Sequence, residues 1–596
     1  MLLKVFPFLD WFRELTPETI RTDFMAGLTV ALVLVPQSMA YAQLAGLPAY
    51  YGLYAAFLPP MVATLFGSSR QLATGPVAIV SLMTAATLEP LATAGGEQFI
   101  AYAILLALMV GIFQFLLGIA RLGLVVNFLS HPVVNGFTNA AAIIIATSQL
   151  DKIFGVSVEK AEHHYETIQR VVGAAFHWTH LPTLGMAVVA FAVMVGLRRV
   201  NPRLPNVLIA VVVTSLLAWV FGFEHNKNVA EDDINSARLP GLIEDFNSGV
   251  TTQKHMEELR FEGSQTSTAI TADTAGEFCQ RCHGQRDVEA FKSRLPVADN
   301  GGIGERALAL HQMAGLLDTH IGGIKEEVSD ARTALRSLVF ARVPEGEPSA
   351  GFHERDLVPE GATTDGRRWR LKVGGRPLDP ENLLLVGGGA VVGVIPRGLP
   401  SPKAPRLDMT VIPKLLAPAI IISLLGFMEA ISIAKAMAAK TRQRLDPNQE
   451  LIGQGLANMV GCVFQSYAVS GSFSRSAVNL QAGARTGLSN VFSSIVVMIV
   501  LLFLSPMLYF LPQAVLAAII MMAVIGLLNV SGFVHAWRTN PFDGLVSVIT
   551  FVGTIALAPH LEWGIFMGVV LSLGGYLFRS MRPHVARLVP AADGTM

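Results

Sequence analysis

Two sets of apolar segments, separated by a long polar block at residues 224–383, limit what this chain of 596 residues can fold into. Crossing ~30 Å of hydrocarbon takes about 20 mainly apolar residues in a helix. Such windows fall near 24–44, 50–66, 75–92, 99–119, 130–150, 181–197 and 205–223, then near 413–434, 449–465, 474–484, 487–510, 512–530, 541–558 and 562–579. Helices are the form in which a lipid-exposed span of this length keeps its backbone paired. The chain is therefore predicted to be an all-α polytopic membrane protein of about fourteen transmembrane segments. Composition agrees: 52% of residues are hydrophobic and 15% charged, too few charges for an ordinary soluble protein. Lys+Arg 44 balances Asp+Glu 44, so no bulk positive charge invites nucleic acid. Three cysteines exclude a disulfide scaffold. No cleavable leader is evident, and Pro7, Trp11 and Phe12 suit a short interfacial helix ahead of the first span.

Orientation follows from Lys and Arg, which gather in cytoplasmic loops. They fall at Arg13 and Arg21, Arg70, Arg121, Arg198 and Arg199, and in the second set at Lys440 and Arg442, Arg485, Arg538 and Arg582. These are alternate loops, which places both chain ends in the cytoplasm. The 151–180 loop, with Lys152, Lys160 and Arg170, is the one that breaks the pattern. The 205–223 span starts at the cytoplasmic Arg203 and must end outside, so the polar insert is expected to be extracytoplasmic. Leu308, Leu310, Leu316, Leu317, Leu335 and Leu338 have helical spacing and predict an amphipathic helix in a mostly helical insert.

Two spans are interrupted in matching places, about three segments into each set. They read "SSRQLATGPVAIVSLM" (68–83) and "VSGSFSRSAVNLQAG" (469–483). Small polar residues and Gly precede a short apolar helix in each. Two half-helices beginning near the middle of the bilayer would aim free N–H groups and positive dipole ends inward, an anion site. Short, Gly/Pro-interrupted spans in corresponding halves point to an inverted-repeat transporter, not an enzyme.

The run "LVPQSMAYAQLAGLPAYYGLYAAFLPPMVATLFGSSRQLATGPVAIVSLM" (34–83) resembles the sulfate permease family, which includes the vertebrate multifunctional anion exchangers. "SHPVVNGFTNAAAI" (130–143), "GFMEAISIAKAMAAKTRQRLDPNQELIGQGLANMVG" (426–461) and "SGSFSRSAVNLQAGARTGLSN" (470–490) add to the match. The resemblance implies a 7+7 inverted repeat divided into core and gate domains, with elevator-like alternating access. It places the anion pocket at Gln37 and Tyr41 on the first span, Val77 at the tip of the third, and Ser474 and Arg475 at the tip of the tenth. Helix dipoles supply only about half a charge each, so a fixed cation at Arg475 would help hold a desolvated oxyanion. Plainer roles exist: a positive-inside residue for Arg475, an interhelical hydrogen bond for Gln37, packing for Tyr41. Asn139, Asn458 and Gln465 read as helix-packing groups.

Glu429 lies in the apolar run "LLGFMEAISIA", where a carboxylate is costly and usually functional. The resemblance gives this position to ion coupling, by a proton or by sodium; the alternative is a permanent pair with Lys435 or Arg475. Most members of the family continue into a cytoplasmic STAS domain, whereas here the sequence ends about 17 residues past the last span.

A second chemistry sits in the insert. "EFCQRCHGQ" carries Cys279 and Cys282 followed by His283, the attachment pattern of c-type haem, with the thiols on the vinyl groups and the His on iron. One haem per chain is expected, with Met313 as candidate distal ligand beside His311 and His320. A Cys279–Cys282 disulfide, or a zinc site completed by scattered histidines, are the alternatives. Cys462 reads as a small buried residue. The organisation expected is 1–223 first repeat, 224–395 extracytoplasmic insert, 396–580 second repeat and 581–596 cytoplasmic tail. The function expected is proton-coupled sulfate transport in a bacterial inner membrane, with two copies forming a homodimer and the insert facing a periplasmic redox partner. Bicarbonate, dicarboxylate or halide carriage fits the same pocket, and a membrane-anchored redox or sensor cytochrome is the rival class.

Overall fold

The computed structural model describes residues 6–13, 15–123, 131–156, 158, 161, 163–201, 205–265, 303–344, 350–359, 361–409 and 411–581. A 3-10 turn at Pro7–Arg13 precedes the first long helix, α1 (Pro17–Leu44). Thr16 caps α1 by accepting from the Thr19 amide, and Pro17 sits where no N–H is needed. The first set continues as α2 (Tyr50–Phe66), β1 (Thr74–Gly75), α3 (Ala78–Leu88), α4 (Glu97–Ile119), α5 (His131–Thr147), α6 (Leu150–Phe154), α7 (His164–Trp178), α8 (Leu181–Val200) and α9 (Asn206–Val220).

The insert contributes β2 (Asn226–Val229), β3 (Ile234–Asn235), α10 (Leu239–Gln265), α11 (Ile303–Ser337), β4 (Phe340–Val343), β5 (Gly351–Glu354), β6 (Arg370–Leu371) and β7 (Leu383–Val386). The second set is α12 (Ile412–Thr441), α13 (Pro447–Val463), β8 (Ser470–Gly471), α14 (Phe473–Gln481), α15 (Leu488–Ile499), α16 (Gln513–Ile525), α17 (Val530–Thr539), α18 (Pro541–Ala556) and α19 (Leu561–Ser580). Among the described residues, eight helices are long and apolar enough to cross a membrane, and Ala78–Leu88, Asn206–Val220 and Pro541–Ala556 are shorter apolar helices.

Packing sorts the helices into two bundles. The first four segments of each set, α1–α4 and α12–α15, pack together; α5, α8, α9 and α16–α19 form the other group. Inside the first bundle, α4 and α13 approach so closely that a Cβ on Gly111 would stand 2.8 Å from the Met459 amide, and one on Gly455 2.6 Å from that of Phe115. Small residues are what let two membrane helices meet backbone to backbone. The bundles meet where α1 lies against α16 and α9, and α3 against α5.

Two windows differ from the sequence reading in an informative way. The 75–92 window is helical only from Ala78, because residues 74–75 are used as a strand. The 487–510 window is α-helical to Ile499, then widens to a π turn at Val500–Leu504 and tightens to a 3-10 turn around Pro506. Proline cannot donate to the preceding turn, which forces the change of pitch. The irregular 151–180 stretch contains α7, an amphipathic helix.

Among its described residues the insert has two long helices, α10 and α11, and adds two three-stranded sheets, β2–β7–β6 and β3–β5–β4. Its own core gathers Leu239, Phe246, Leu335, Phe340, Trp369 and Leu385 beneath the α10–α11 pair. Leu335 and Leu338 of the predicted stripe are buried there. From the insert the chain returns as a strap across both bundles. Val392 donates to the Leu511 carbonyl at 2.9 Å on the second, and Lys403 to that of Val463 at 2.8 Å on the first. Arg376 pairs with Glu97 at 3.0 Å, tying the insert to the start of α4.

Candidate functional site

The interruptions expected from sequence are where the two halves of the chain cross. β1 and β8 pair antiparallel, Thr74 opposite Gly471 and Gly75 opposite Ser470, all four buried. Backbone that leaves a helix at membrane depth must be satisfied by protein, and here it is. Ser472 N donates to Ala73 O at 2.9 Å, the Ala73 amide donates to Ser476 Oγ at 2.9 Å, and Asn490 Nδ2 donates to Leu72 O at 2.9 Å. Asn458 takes the Val469 amide at 2.8 Å and reaches Gln114 at 3.1 Å, while Gln454 donates to Thr74 Oγ1 at 2.9 Å.

From this crossing the two half-helices start. α3 begins after Val77 and α14 after Ser472, both caps extended and neither with a side-chain cap. The first N–H groups of each helix thus have no intrahelical acceptor and carry the positive dipole end. Arg475, two residues into α14, is 0% exposed, and its Nε, Nη1 and Nη2 make no hydrogen bond within the described structure. It reaches toward β1: a Cβ on Gly75 would stand 3.2 Å from Nη2, so a side chain there would push into the guanidinium. Gly75 also holds φ +147°, a conformation that glycine favours.

Around the guanidinium stand Tyr41, Tyr467 and Glu429, its electrostatic neighbours. Tyr41 and Gln37 are buried on α1, and Gln37 Oε1 has no donor. Val77 is buried at the α3 tip. Glu429, half-buried on α12, has an Oε2 without a partner and forms no ion pair with Lys435 or Arg475 among the described residues. Ser474 departs from this group. Its side chain is exposed and its Oγ lies 3.4 Å from Ser472 Oγ, one helical step away from Arg475. Tyr467 was not singled out in the sequence; its hydroxyl lies 3.2 Å from Ser81 Oγ of α3.

Two buried carboxylates, which the sequence does not mark as functional, also support the crossing. Glu450 of α13 accepts from Ser68 N at 2.9 Å, Ser69 N at 3.0 Å and Ser68 Oγ at 3.2 Å, fixing the segment that leads into β1. Asp23 of α1 accepts from Arg485 N at 2.7 Å and Thr486 Oγ1 at 2.5 Å, fixing the segment that leaves α14. An acidic residue near the end of an apolar window was the signal available for both. Asn139 is a packing group, accepting from Asn529 N at 2.8 Å, and Gln465 donates to Ser401 O at 3.0 Å. Cys462 is free and buried. Cys279, Cys282 and His283 lie outside the described residues; Met313 falls on α11.

A lone cation, an amide oxygen and a carboxylate oxygen without partners, set at two uncapped helix starts, are the groups a small anion and a coupled proton would use. The sulfate permease family model matches residues 20–270 and 382–550. The chain belongs to the sulfate permease family.

Among relatives, "Sulfate transporter 4.1, chloroplastic" of Arabidopsis thaliana is 30% identical over 98% of this chain and 62% of its own length. The "Sodium-independent sulfate anion transporter" of Bos taurus is 28% identical over 98% of this chain and 73% of its own. The chain spans just under two thirds of the length of two Arabidopsis relatives, 62% and 65%. Two solved structures share the fold. The murine Slc26a9 anion transporter in the inward-facing state gives a TM-score of 0.64 at 19% identity, covering 97% of this chain and 72% of that one. The transmembrane domain of the cyanobacterial bicarbonate transporter BicA gives 0.56 at 16%, covering 94% and 99%.

Proposed function

We propose that this protein is a secondary active carrier of inorganic anions, sulfate foremost, driven by protons. The observation that carries the reading is the fully buried Arg475, whose three nitrogens have no protein acceptor, between the starts of α3 and α14. Burying such a cation unpaired is expensive, and an oxyanion would offset that cost during each cycle. Transport then follows from movement of one bundle against the other around a fixed site. Gln37, Tyr41 and Val77 line that site in this reading, Ser474 stands at its rim, and Glu429 carries the coupled proton. The names of the relatives support sulfate; bicarbonate, a dicarboxylate or a halide would meet the same groups. The setting proposed is a bacterial inner membrane, where the Lys/Arg pattern supports both ends cytoplasmic and the insert on the periplasmic side. Pairing into a homodimer belongs to the same proposal.

The test is labelled sulfate uptake into proteoliposomes of purified protein with and without an inward proton gradient. Stimulation by the gradient is expected, with unlabelled sulfate competing. No uptake under either condition would overturn the proposal. Glu429→Gln keeps the shape and removes the titrating group. It should cut gradient-driven accumulation at least about ten-fold while sulfate–sulfate exchange persists, since a proton would no longer travel with the anion. Accumulation unchanged in that variant would remove Glu429 from coupling.

We also propose that Cys279 and Cys282 bind one c-type haem, with His283 on the iron and Met313 a candidate for the other face. The Cys-x-x-Cys-His spacing supports this, as does the expected compartment, where such attachment is made. Bound haem would supply one-electron chemistry, for which a periplasmic redox partner is required. Covalent haem staining of the 63.9 kDa band and a Soret absorbance are expected, both lost in Cys279→Ser/Cys282→Ser. Colourless protein from cells competent in cytochrome maturation would overturn it.

A further inference from the structure

The membrane edge beside the insert combines two features that transport does not use. The first is an apolar face. Leu181, Val188 and Val195 are exposed along α8 at seven-residue spacing, a stripe that in a membrane protein faces lipid. At its insert-side end Phe176 is 85% exposed and Trp178 49%, and Trp219 and Phe221 at the matching end of α9 are exposed as well. Aromatic residues in such positions mark the level of the lipid headgroups. α7, which ends in Trp178, is amphipathic and lies between two spans, as an interfacial helix does.

The second feature is uncompensated positive charge set on that edge by the insert. The Arg368 guanidinium lies over the Trp178 ring, 3.3 Å from its centroid. Stacking uses the face of the guanidinium and leaves its in-plane N–H groups pointing outward, ready for a bidentate oxyanion. Arg355, Arg367 and Arg368 form no ion pair among the described residues. The nearby Asp365 is already engaged, its oxygens accepting from the Arg367 amide at 3.0 Å and Trp369 Nε1 at 2.8 Å. Burial, and then the charges of Arg355 and Arg370, hold Arg368 below the ordinary guanidinium range. Arg367 reaches the other side of the same junction, where burial first and then this arginine lower the pKa of His180, the residue before α8. These arginines outweigh the nearby Asp365 carboxylate, and the surplus of like charge is a standing cost that an external anion would relieve.

We propose that Arg367 and Arg368, the latter stacked on Trp178, bind the phosphate of an anionic lipid and so anchor the insert to the membrane surface. The lipid tails would lie along the exposed stripe of α8 while the phosphodiester meets the guanidinium edges. A soluble oxyanion could satisfy the charge but not the adjoining apolar face, which is why a lipid is the ligand chosen. The site is separate from Arg475, so sulfate uptake does not depend on it.

The test uses the full-length protein in detergent micelles containing equal phosphatidylglycerol and phosphatidylcholine, with bound lipid measured by native mass spectrometry. The expected result is selective retention of phosphatidylglycerol that falls by roughly thirty-fold in Arg367→Gln/Arg368→Gln, as two charges near a membrane surface are removed. Arg368→Lys, which keeps the charge but loses the fork and stack, should fall part of the way. Millimolar inorganic phosphate should not displace the lipid, and sulfate uptake by the double variant should match the parent. Equal retention in parent and double variant would overturn the proposal. Displacement by inorganic phosphate would overturn it too, in favour of a soluble oxyanion.

Discussion

Replacing Arg475 by alanine should abolish sulfate uptake and, at the same time, make the protein more stable. The first effect follows from losing a charge buried at the two helix starts. Truncating one partner of a desolvated, hydrogen-bonded charge pair costs about 2–5 kcal/mol, so uptake at low sulfate should fall at least about thirty-fold. The second effect comes from the same burial. Arg475 is 0% exposed and its guanidinium nitrogens have no acceptor. Removing an unpaired buried charge should relieve the fold, because a charge taken out of water without a partner is costly to bury. Thermal unfolding in detergent measures this directly: a raised Tm, together with lost stabilisation by added sulfate. Arg475→Lys keeps the charge without the planar fork and should fall between. If Arg475→Ala lowered Tm and left uptake intact, the arginine would be a structural residue and the anion site would have to be sought elsewhere.

The opposite pattern is expected at Glu450. Its carboxylate takes two backbone N–H groups and one hydroxyl from Ser68 and Ser69, all in buried or half-buried surroundings. Glu450→Ala leaves these donors without acceptors, each costing about 1–3 kcal/mol. With three donors stranded, stability should drop by about 3 kcal/mol or more. Uptake should drop with it, because residues 68–73 aim β1 and hence the tip of α3. Glu450→Gln retains one acceptor oxygen and should restore part of both. Asp23 holds Arg485 and Thr486 in the same manner beyond α14, so Asp23→Ala should behave alike. An unaltered Tm in Glu450→Ala would show that the loop finds other partners, and would end its role in positioning the half-helix.

The broad design was legible in one dimension. Apolar windows, alternating Lys/Arg loops and two interruptions at "SSRQLATGPVAIVSLM" and "VSGSFSRSAVNLQAG" were enough to expect a helical membrane protein with opposed half-helices, and the family match strengthened it. Glu429 stood out because an ionisable side chain within an apolar run is costly, and Arg475 through the family resemblance. The sheets of the insert were missed, since strands as short as Ile234–Asn235 and Arg370–Leu371 leave no periodic trace. The amphipathic α7 offers no apolar window, since polar residues such as Glu166 and Arg170 interrupt it, so it is not legible as a span.

What the sequence by itself determined was where chain can and cannot meet lipid, because the cost of apolar surface in water and of unpaired backbone in hydrocarbon is written residue by residue. Only the tertiary structure decided which polar groups face one another. It turned Arg475 inward and Ser474 outward though they are neighbours, set Gly75 beneath the guanidinium, and brought Glu450 and Asp23 to loops hundreds of residues away. Those choices depend on how helices cross and how closely their backbones approach, and such distances between remote segments are fixed by packing rather than by local composition.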